Sequence, residues 1–478
     1  MVPDAERMLP GELPSRPGPG SNAKSAARLA DRITEDVMAI GWPVGEVLGA
    51  EVELLERYQV SRAVFREAVR LLEYQEVART RRGPGGGLVV TEPSVQAVID
   101  AVVLFLLRVD ARLDEVFEAR IVLEEIAADL AARRLEEEDL IRLRQFLDGG
   151  SPDLGADPRA LHSLVAESSR NPALRLFVEV LNRVATLYST GWTNFGKTSE
   201  VIHAHARIAD AVIAGDAAAA RRRMRVHLQA EADYLRRRRS TRQMLPDSIL
   251  ADGVARGKRA EAVARKIARE VVARDMRPGE LIGTEADLIE REKVSRAILR
   301  EAVRLLEYHQ IARMRRGPGG GLFVVEPGSG AVTDVVAIYL ARQQMALSQL
   351  SELRTGVEMT ILELAVERMD DAGRARVEEA LRIEVASGQD ELAEVADDLH
   401  AALATAAGNR VLELVALVLM RLSRLHQVER LAPVARDQIR AEVLRAHSGI
   451  ASAVAAGDRE LARHRMQRHL DALAEVVR

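Results

Sequence analysis

Apolar positions recur at three- and four-residue spacing through most of this 478-residue chain, and give way twice to short alternating runs around a glycine cluster. The first spacing is that of a helix with one buried face, the second that of a half-buried strand. Leu29, Ile33 and Val37 mark a first amphipathic helix over 26–39, and 51–58 reads as a short second one. From Ser61 a third helix carries Val64, Ala68, Leu71 and Leu72 on one face. Ser61 suits its N-cap, because a serine hydroxyl accepts from a free N–H of the first turn. Val77 to Arg81 then reads as a strand, Gly83-Pro84-Gly85-Gly86-Gly87 as a turn, and Leu88-Val89-Val90 as the returning strand. After Ser94 the helical spacing predicts helices over 95–108, 113–134, 137–147, 158–169, 173–189, 198–214 and 217–238. Gly149-Gly150-Ser151-Pro152, Gly191 to Lys197 and the tight turn Gly215-Asp216 punctuate them, as in an antiparallel bundle.

The pattern then starts again. Ser295 to Glu326, SRAILREAVRLLEYHQIARMRRGPGGGLFVVE, parallels Ser61 to Glu92, SRAVFREAVRLLEYQEVARTRRGPGGGLVVTE, and lies 234 residues later at both ends. A repeat this long means two copies of a whole domain rather than a solenoid. The organisation that follows is a disordered Pro- and Gly-rich tail at 1–23, a first helix-and-hairpin domain at 24–93, a helical domain at 94–239, a linker at 240–258, a second helix-and-hairpin domain at 259–327 and a second helical domain at 328–478. The fold class is mainly α: two winged helix-turn-helix domains, each with a small β-hairpin wing, and two antiparallel all-α bundles. From His162 to His400 the offset is 238 and from His205 to His447 it is 242, so length changes fall in the bundle loops.

Charge sharpens this picture. With 68 Lys and Arg against 72 Asp and Glu the net charge is −4, which excludes a globally basic nucleic-acid binder but not local basic faces. Arg62, Arg66 and Arg70 line the third helix opposite its apolar row, and Arg296, Arg300 and Arg304 repeat them. Guanidinium groups in such a row can chelate guanine O6 and N7 or pair with phosphates in a DNA major groove. Arg79, Arg81 and Arg82, repeated as Arg313, Arg315 and Arg316, bring charge to the hairpin, where it can touch phosphates or a minor groove. A solvated face accounts for one such helix as well; two copies, each followed by the same basic hairpin, favour DNA. A nucleotide-binding glycine loop leads into a helix, whereas these glycines lead into a strand. Aromatics at 3% argue against base-stacking platforms. The absence of cysteine removes disulfides, thiolate metal sites and thiol nucleophiles, and fits a cytoplasmic, nucleoid-associated protein. The longest apolar run, Ala101 to Leu107, is too short to span a bilayer, and the polar start is not a signal peptide. That run can serve as a bundle interface, within the chain or between chains.

The motifs PVGEVL, ELLERYQVSR, FREAVRLLE and RRGPGGGLVV, repeated as RPGELI, DLIEREKVSR, LREAVRLLE and RRGPGGGLFV, resemble the GntR family of bacterial transcription regulators. Arg120 to Glu124, LHSLVAESSRNPAL around His162, HARIADAVIAGD from His205 and MRVHL ending at His227 resemble the effector-binding domain of its FadR branch. Arg354 to Glu358, LHAALATAAGNRVL, HSGIASAVAAGD and MQRHL ending at His469 repeat them. The resemblance implies a sequence-specific regulator of double-stranded DNA, usually a repressor. It places DNA contacts on Ser61, Arg62, Arg66, Arg70, Arg81, Arg82 and Gly83, and on Ser295, Arg296, Arg300, Arg304, Arg315, Arg316 and Gly317. The chain departs from the family at Val52 and Ala286, where an arginine often follows the glutamate that opens the second helix. The resemblance also turns Arg120 and Arg354, with Asn171 and Asn409, toward an effector pocket. An arginine fork suits a carboxylate, so an organic acid, sugar acid or acyl compound is the implied effector class. An ordinary helix ion pair, such as Arg120 with Glu124, is the other reading of the same residues.

His162, His205 and His227 come from three helices, as do His400, His447 and His469. Three imidazoles converging in a bundle can bind a divalent metal such as Zn²⁺, or can simply hydrogen-bond inside polar pockets. In the resembling family an aspartate one turn before the first histidine is a fourth ligand; here Pro158 and Ala396 stand there. Asp397 can still face the second site, while Asp157 suits an N-cap for the helix that Pro158 opens. Relatives work as homodimers that read the two halves of a palindrome, so one chain with both winged helices can act as a covalent pseudo-dimer. Pairing of two chains into a homodimer stays open. Two other classes remain: an assembly module in which one winged helix reads DNA, and a metal-dependent enzyme. Against the enzyme, no glutamate base lies beside a histidine pair in a zincin-like arrangement.

Overall fold

The computed structural model describes residues 19–83, 85–148, 159–187, 199–237, 259–315, 317–386, 398–427 and 433–476. They fall in two compact units, Met1–Pro93 and Ser94–Arg478.

In the first unit α1 (Pro19–Ala39) buries Ala26, Leu29, Ala30, Ile33 and Val37 at helical spacing. It begins inside the segment that composition assigns to a tail. α2 (Glu51–Tyr58) stops at Gln59, whose left-handed φ of 54° swings the chain into Ser61, the N-cap of α3 (Arg62–Tyr74). β1 (Val47–Gly49), β2 (Ala78–Arg81) and β3 (Gly87–Val90) form an antiparallel sheet in the order β1-β3-β2. The wing pairs Ala78 with Val90 through to Arg81 with Gly87. Alternation does not predict β1, because three residues are too few to show a period. Its pairing explains the last glycine of the cluster: a Cβ on Gly87 would meet the Gly49 carbonyl oxygen at 2.4 Å. Gly87 is therefore a strand residue selected by close backbone approach, not part of the turn.

The second unit opens with the first bundle: α4 (Val95–Arg108), α5 (Leu113–Arg134), α6 (Glu137–Leu147), α7 (Ala160–Ser168), α8 (Pro172–Leu187), α9 (Ser199–Ile213) and α10 (Ala217–Arg237). These match the predicted spans to within a residue or two. α5 is buried on nearly every side, because α7, α8 and α10 pack around it. The second winged helix follows as α11 (Arg259–Ala273), β4 (Leu281–Gly283), α12 (Glu285–Glu292), α13 (Arg296–Tyr308), β5 (Ala312–Arg315) and β6 (Gly321–Val324), with sheet order β4-β6-β5. Its core includes Ile267, Leu288, Leu299, Leu306 and Leu322, and Leu104 of α4 packs against it. Arg108, at the end of α4, donates to the Gln310 and Val325 carbonyls at 2.6 Å each. The apolar run in α4 thus serves contacts within the chain.

The second bundle comprises α14 (Gly330–Arg342), α15 (Leu347–Arg368), α16 (Asp371–Ala386), α17 (Asp398–Ala406), α18 (Arg410–Gln427), α19 (Pro433–Ala455) and α20 (Arg459–Val476). It meets the first through α5 with α15 and α4 with α14. Four of the polar contacts between them form two matched pairs. Arg134 meets Glu352 and Arg368 meets Glu118, both at 2.5 Å. The Asn171 amide donates to the Gln349 carbonyl and the Asn409 amide to the Glu115 carbonyl, both at 3.0 Å. Each partner in the second bundle is the repeat of one in the first, as in an isologous interface.

The two asparagines also hold the ends of helices. Asn171 Oδ1 accepts from the Ala173 and Leu174 N–H groups at the start of α8, and Asn409 Oδ1 does the same for Val411 and Leu412 at α18. Their side chains cap helices and join the bundles, and the reason is the preference of asparagine for free first-turn N–H groups. Among the described residues no helix is long and apolar enough to cross a membrane.

Candidate functional site

Each winged helix offers an exposed arginine face on a rigid support. The Ser61 hydroxyl accepts from Val64 N–H and the Ser295 hydroxyl from Ile298 N–H, which fixes the start of α3 and α13. Val64, Phe65, Ala68 and Leu72, and Leu299, Ala302 and Leu306, are buried on the opposite side. Arg62 and Arg66 are exposed, as are Arg296, Arg300 and Arg304. Glu51 lies 3.8 Å from Arg66, and Glu285 lies 3.3 Å from Arg296 and 3.5 Å from Arg300. The glutamate that opens the second helix thus steers the arginines of the third. Arg70 differs from the rest, being tied to Glu67 at 2.6 Å. On the wing, Arg81 donates to the Gly85 carbonyl at 2.8 Å, and Arg82 and Gly83 are exposed. Gly83 and Gly317 turn with φ of 100° and 98°. Arg315 lies over the Phe323 ring, 4.4 Å from its centroid. Arg316 lies outside the described residues.

The bundles bring each histidine trio together. In the first, His227 Nε2 is 3.1 Å from His205 Nε2 and 3.3 Å from His162 Nε2. In the second, His469 Nε2 is 3.1 Å from His447 Nε2 and 3.3 Å from His400 Nε2. All six are buried. Burial, followed by the charge of neighbouring imidazoles, lowers His205 to about 3 and His469 to about 2, and lowers His227 as well. Burial likewise lowers His447, against the pull of Glu384. These rings are held neutral, the form that ligates a metal. Carboxylates on the outer ring nitrogens fix which nitrogen faces inward: Glu124 on His162 Nδ1, Glu358 on His400 Nδ1 at 2.5 Å, and Glu384 on His447 Nδ1 at 2.7 Å. Three converging Nε2 atoms, with Glu124 behind the first trio and Glu358 and Glu384 behind the second, suit a divalent cation. Pro158, Ala396 and Asp397 lie outside the described residues.

The arginines stand beside these trios, on ion pairs of different kinds. Arg120 is 0% exposed and bridges Glu124 at 2.7 Å and Glu231 at 2.8 Å. Burial alone would raise Glu124, but Arg120 and then His162 hold it at about 2. For Glu231 burial outweighs Arg120, and its carboxyl is raised. Arg354 is 12% exposed, pairs with Glu358 and reaches the Ser423 hydroxyl at 3.3 Å. Burial is likewise overcome at Glu358, which Arg354 and His400 hold well below the usual carboxylate range. Sequence reasoning missed Glu231 and Glu384. Glu231 was within reach, four residues after His227 on one helix face. Glu384 was not, since the structurally matching ring partner of the first bundle is Phe146, 6.3 Å from His205.

Comparison with known proteins adds a family and several relatives. The FCD domain matches residues 115–230 and again 349–472. A Bacillus subtilis protein described as the uncharacterized HTH-type transcriptional regulator YcbG is 28% identical over 219 residues, 45% of this chain and 91% of that protein. The galactonate operon transcriptional repressor of Escherichia coli K12 is 28% identical over 170 residues, 35% of this chain and 74% of the repressor. The Uxu operon regulator of Haemophilus influenzae is 26% identical over 158 residues, 32% of this chain, and this chain spans 57% of its length. A solved structure, Streptococcus agalactiae GntR, aligns with 24% identity over 44% of this chain and 99% of its own, at a TM-score of 0.32.

Proposed function

Because this chain belongs to the FCD-domain family and its relatives are named as transcriptional regulators, we propose that it is a sequence-specific regulator of double-stranded DNA working as a covalent pseudo-dimer. The doubled arginine face carries this reading: Arg62 and Arg66 on α3, and Arg296 and Arg300 on α13, exposed over buried apolar rows. Ser61, Arg81, Arg82 and Gly83, with Ser295, Arg304, Arg315, Arg316 and Gly317, complete two DNA surfaces. The matched pairs between the bundles support the pseudo-dimer, since in a homodimer each would be one contact made twice. The recognition helices differ at Val64-Phe65 against Ile298-Leu299, on their apolar side. The operator is therefore a near-symmetric palindrome with half-sites about 34–36 Å apart.

The bundles control binding. His162, His205 and His227, and His400, His447 and His469, hold a divalent metal, which when bound supplies positive charge and open coordination positions. An acid effector sits at this face with an arginine fork beside it. The name of the galactonate operon repressor fits that class. Effector binding shifts the equilibrium between winged-helix arrangements and releases DNA, which makes the chain a repressor acting in the cytoplasm. The Arg108 contacts to Gln310 and Val325 are one place where a bundle can pull on a winged helix. The test is to replace Arg62 and Arg66, or separately Arg296 and Arg300, with alanine. Equal losses of operator affinity and equal reductions in salt dependence are expected. One silent pair would leave a single DNA-reading winged helix and overturn the reading.

A further inference from the structure

The long helices α5 and α15 are repeats of one another at a constant offset of 234 residues, from Leu113 and Leu347 to Arg134 and Arg368. The matched polar contacts between the bundles respect that repeat. Exchanging the copies turns Arg134 with Glu352 into Arg368 with Glu118, and both pairs are made. Asn171 on the Gln349 carbonyl and Asn409 on the Glu115 carbonyl behave in the same way. Each copy carries the same arginine, glutamate and asparagine. Two first bundles, or two second bundles, could therefore form these bonds equally well. Such contacts hold bundles together without deciding which bundle meets which.

One apolar contact breaks the repeat. A Cβ on Gly356 of α15 would meet Ile126 Cδ1 of α5 at 2.5 Å and its Cγ1 at 3.3 Å. Glycine lets the two helices approach here around the isoleucine. The repeat of Gly356 in α5 is Val122, and the repeat of Ile126 in α15 is Thr360. The Thr360 hydroxyl donates to the Gly356 carbonyl of its own helix at 3.1 Å, so its polar end has a partner. At these two positions α5 is large, with valine and isoleucine, and α15 is small, with glycine and threonine.

We propose that this contact is a size code for unlike pairing: the α5 face of the first bundle fits the α15 face of the second and rejects a copy of itself. Two first bundles would set Val122 against Ile126, where even a Cβ forces the isoleucine to move, and symmetry would repeat the clash. Two second bundles would set Gly356 against Thr360 and leave unfilled the space that Ile126 takes. Unlike bundles avoid both faults. The preference belongs to the bundles and does not depend on DNA being read. Its consequence is that two chains cannot join like to like, so every pair of bundles brings together one winged helix of each kind.

The test uses thermal unfolding of the full-length chain. Gly356→Val with Thr360→Ile gives the second face the side chains of the first, and Val122→Gly with Ile126→Thr does the reverse. All four changes together exchange the faces. Both like-faced chains are expected to unfold at least about 3 °C below the unaltered chain, and the exchanged chain to regain most of that loss. Gly356→Val removes a glycine from a helix interior, which by itself favours the helix, so a loss in that chain comes from the contact. A like-faced chain as stable as the unaltered one overturns the proposal, as do losses that simply add in the exchanged chain. If the like-faced chains do not fold, the exchanged chain decides: folding supports the size code, and failure to fold overturns it.

Discussion

The two histidine pockets show how one ligand set can be kept while its surroundings diverge. Both hold three inward Nε2 atoms at the same 3.1 and 3.3 Å separations. Behind them, the first has Phe146 beside His205 and the second has Glu384 on His447. Beside the arginine, the first has Glu231 and the second has no acid at the matching Leu473. Among the described residues, Glu231 thus braces the arginine of the first pocket and Glu384 orients a histidine of the second.

That contrast can be broken most forcefully at the arginines. Arg120→Met strands Glu124 and Glu231 in a fully buried site, and removing one partner of a buried ion pair costs about 3–5 kcal/mol. Arg354→Met strands Glu358 beside a partly exposed position and is expected to cost visibly less. Denaturant unfolding of the two variants checks the order, and equal losses would contradict the contrast. A smaller effect is expected at Glu384→Gln, which removes a carboxylate partner from a metal-binding histidine. Loss of such a partner lowers metal affinity by roughly 10–100-fold. Chelator competition should show that loss at one site per chain, with the other unchanged; a loss at both would mean that the pockets are coupled.

The gentlest probe is pH. The folded rings of His205, His227, His447 and His469 hold their protons less tightly than an exposed histidine, first because they are buried. Between the lowered folded values and the unfolded value near 6.5, the unfolded chain binds more protons, so stability rises with pH. It is complete above about pH 6.5 and is lost as the pH falls, at about 1.4 kcal/mol per pH unit for each histidine. Thermal unfolding of metal-free protein across this window should show the decline, and bound metal should move it to lower pH. A flat metal-free profile would mean that the rings are not held neutral.

Much of this was legible in the sequence, for identifiable reasons. The bundle helices were readable because long helices express their period many times, and the hairpin because its glycines interrupt that period. β1 and β4 were not, since three residues express no period. The histidine trios were readable as residues, and the fold shows that they converge. The capping and bundle-joining contacts of Asn171 and Asn409 were not read, because the bundle partners Gln349 and Glu115 lie far away in the sequence. Arg108 carries no local sign of its bonds to Gln310 and Val325, more than 200 positions away. Glu384 is invisible to a comparison of repeats, because the repeats differ there.

The central claim is that one chain reads both halves of an operator. Selection of binding sites from random duplex DNA, followed by measurement of how many chains bind the selected duplex, tests it most directly. The account predicts a near-symmetric palindrome bound by one chain, with half-sites about one helical turn apart. A lone half-site, or a palindrome that needs two chains, would contradict it.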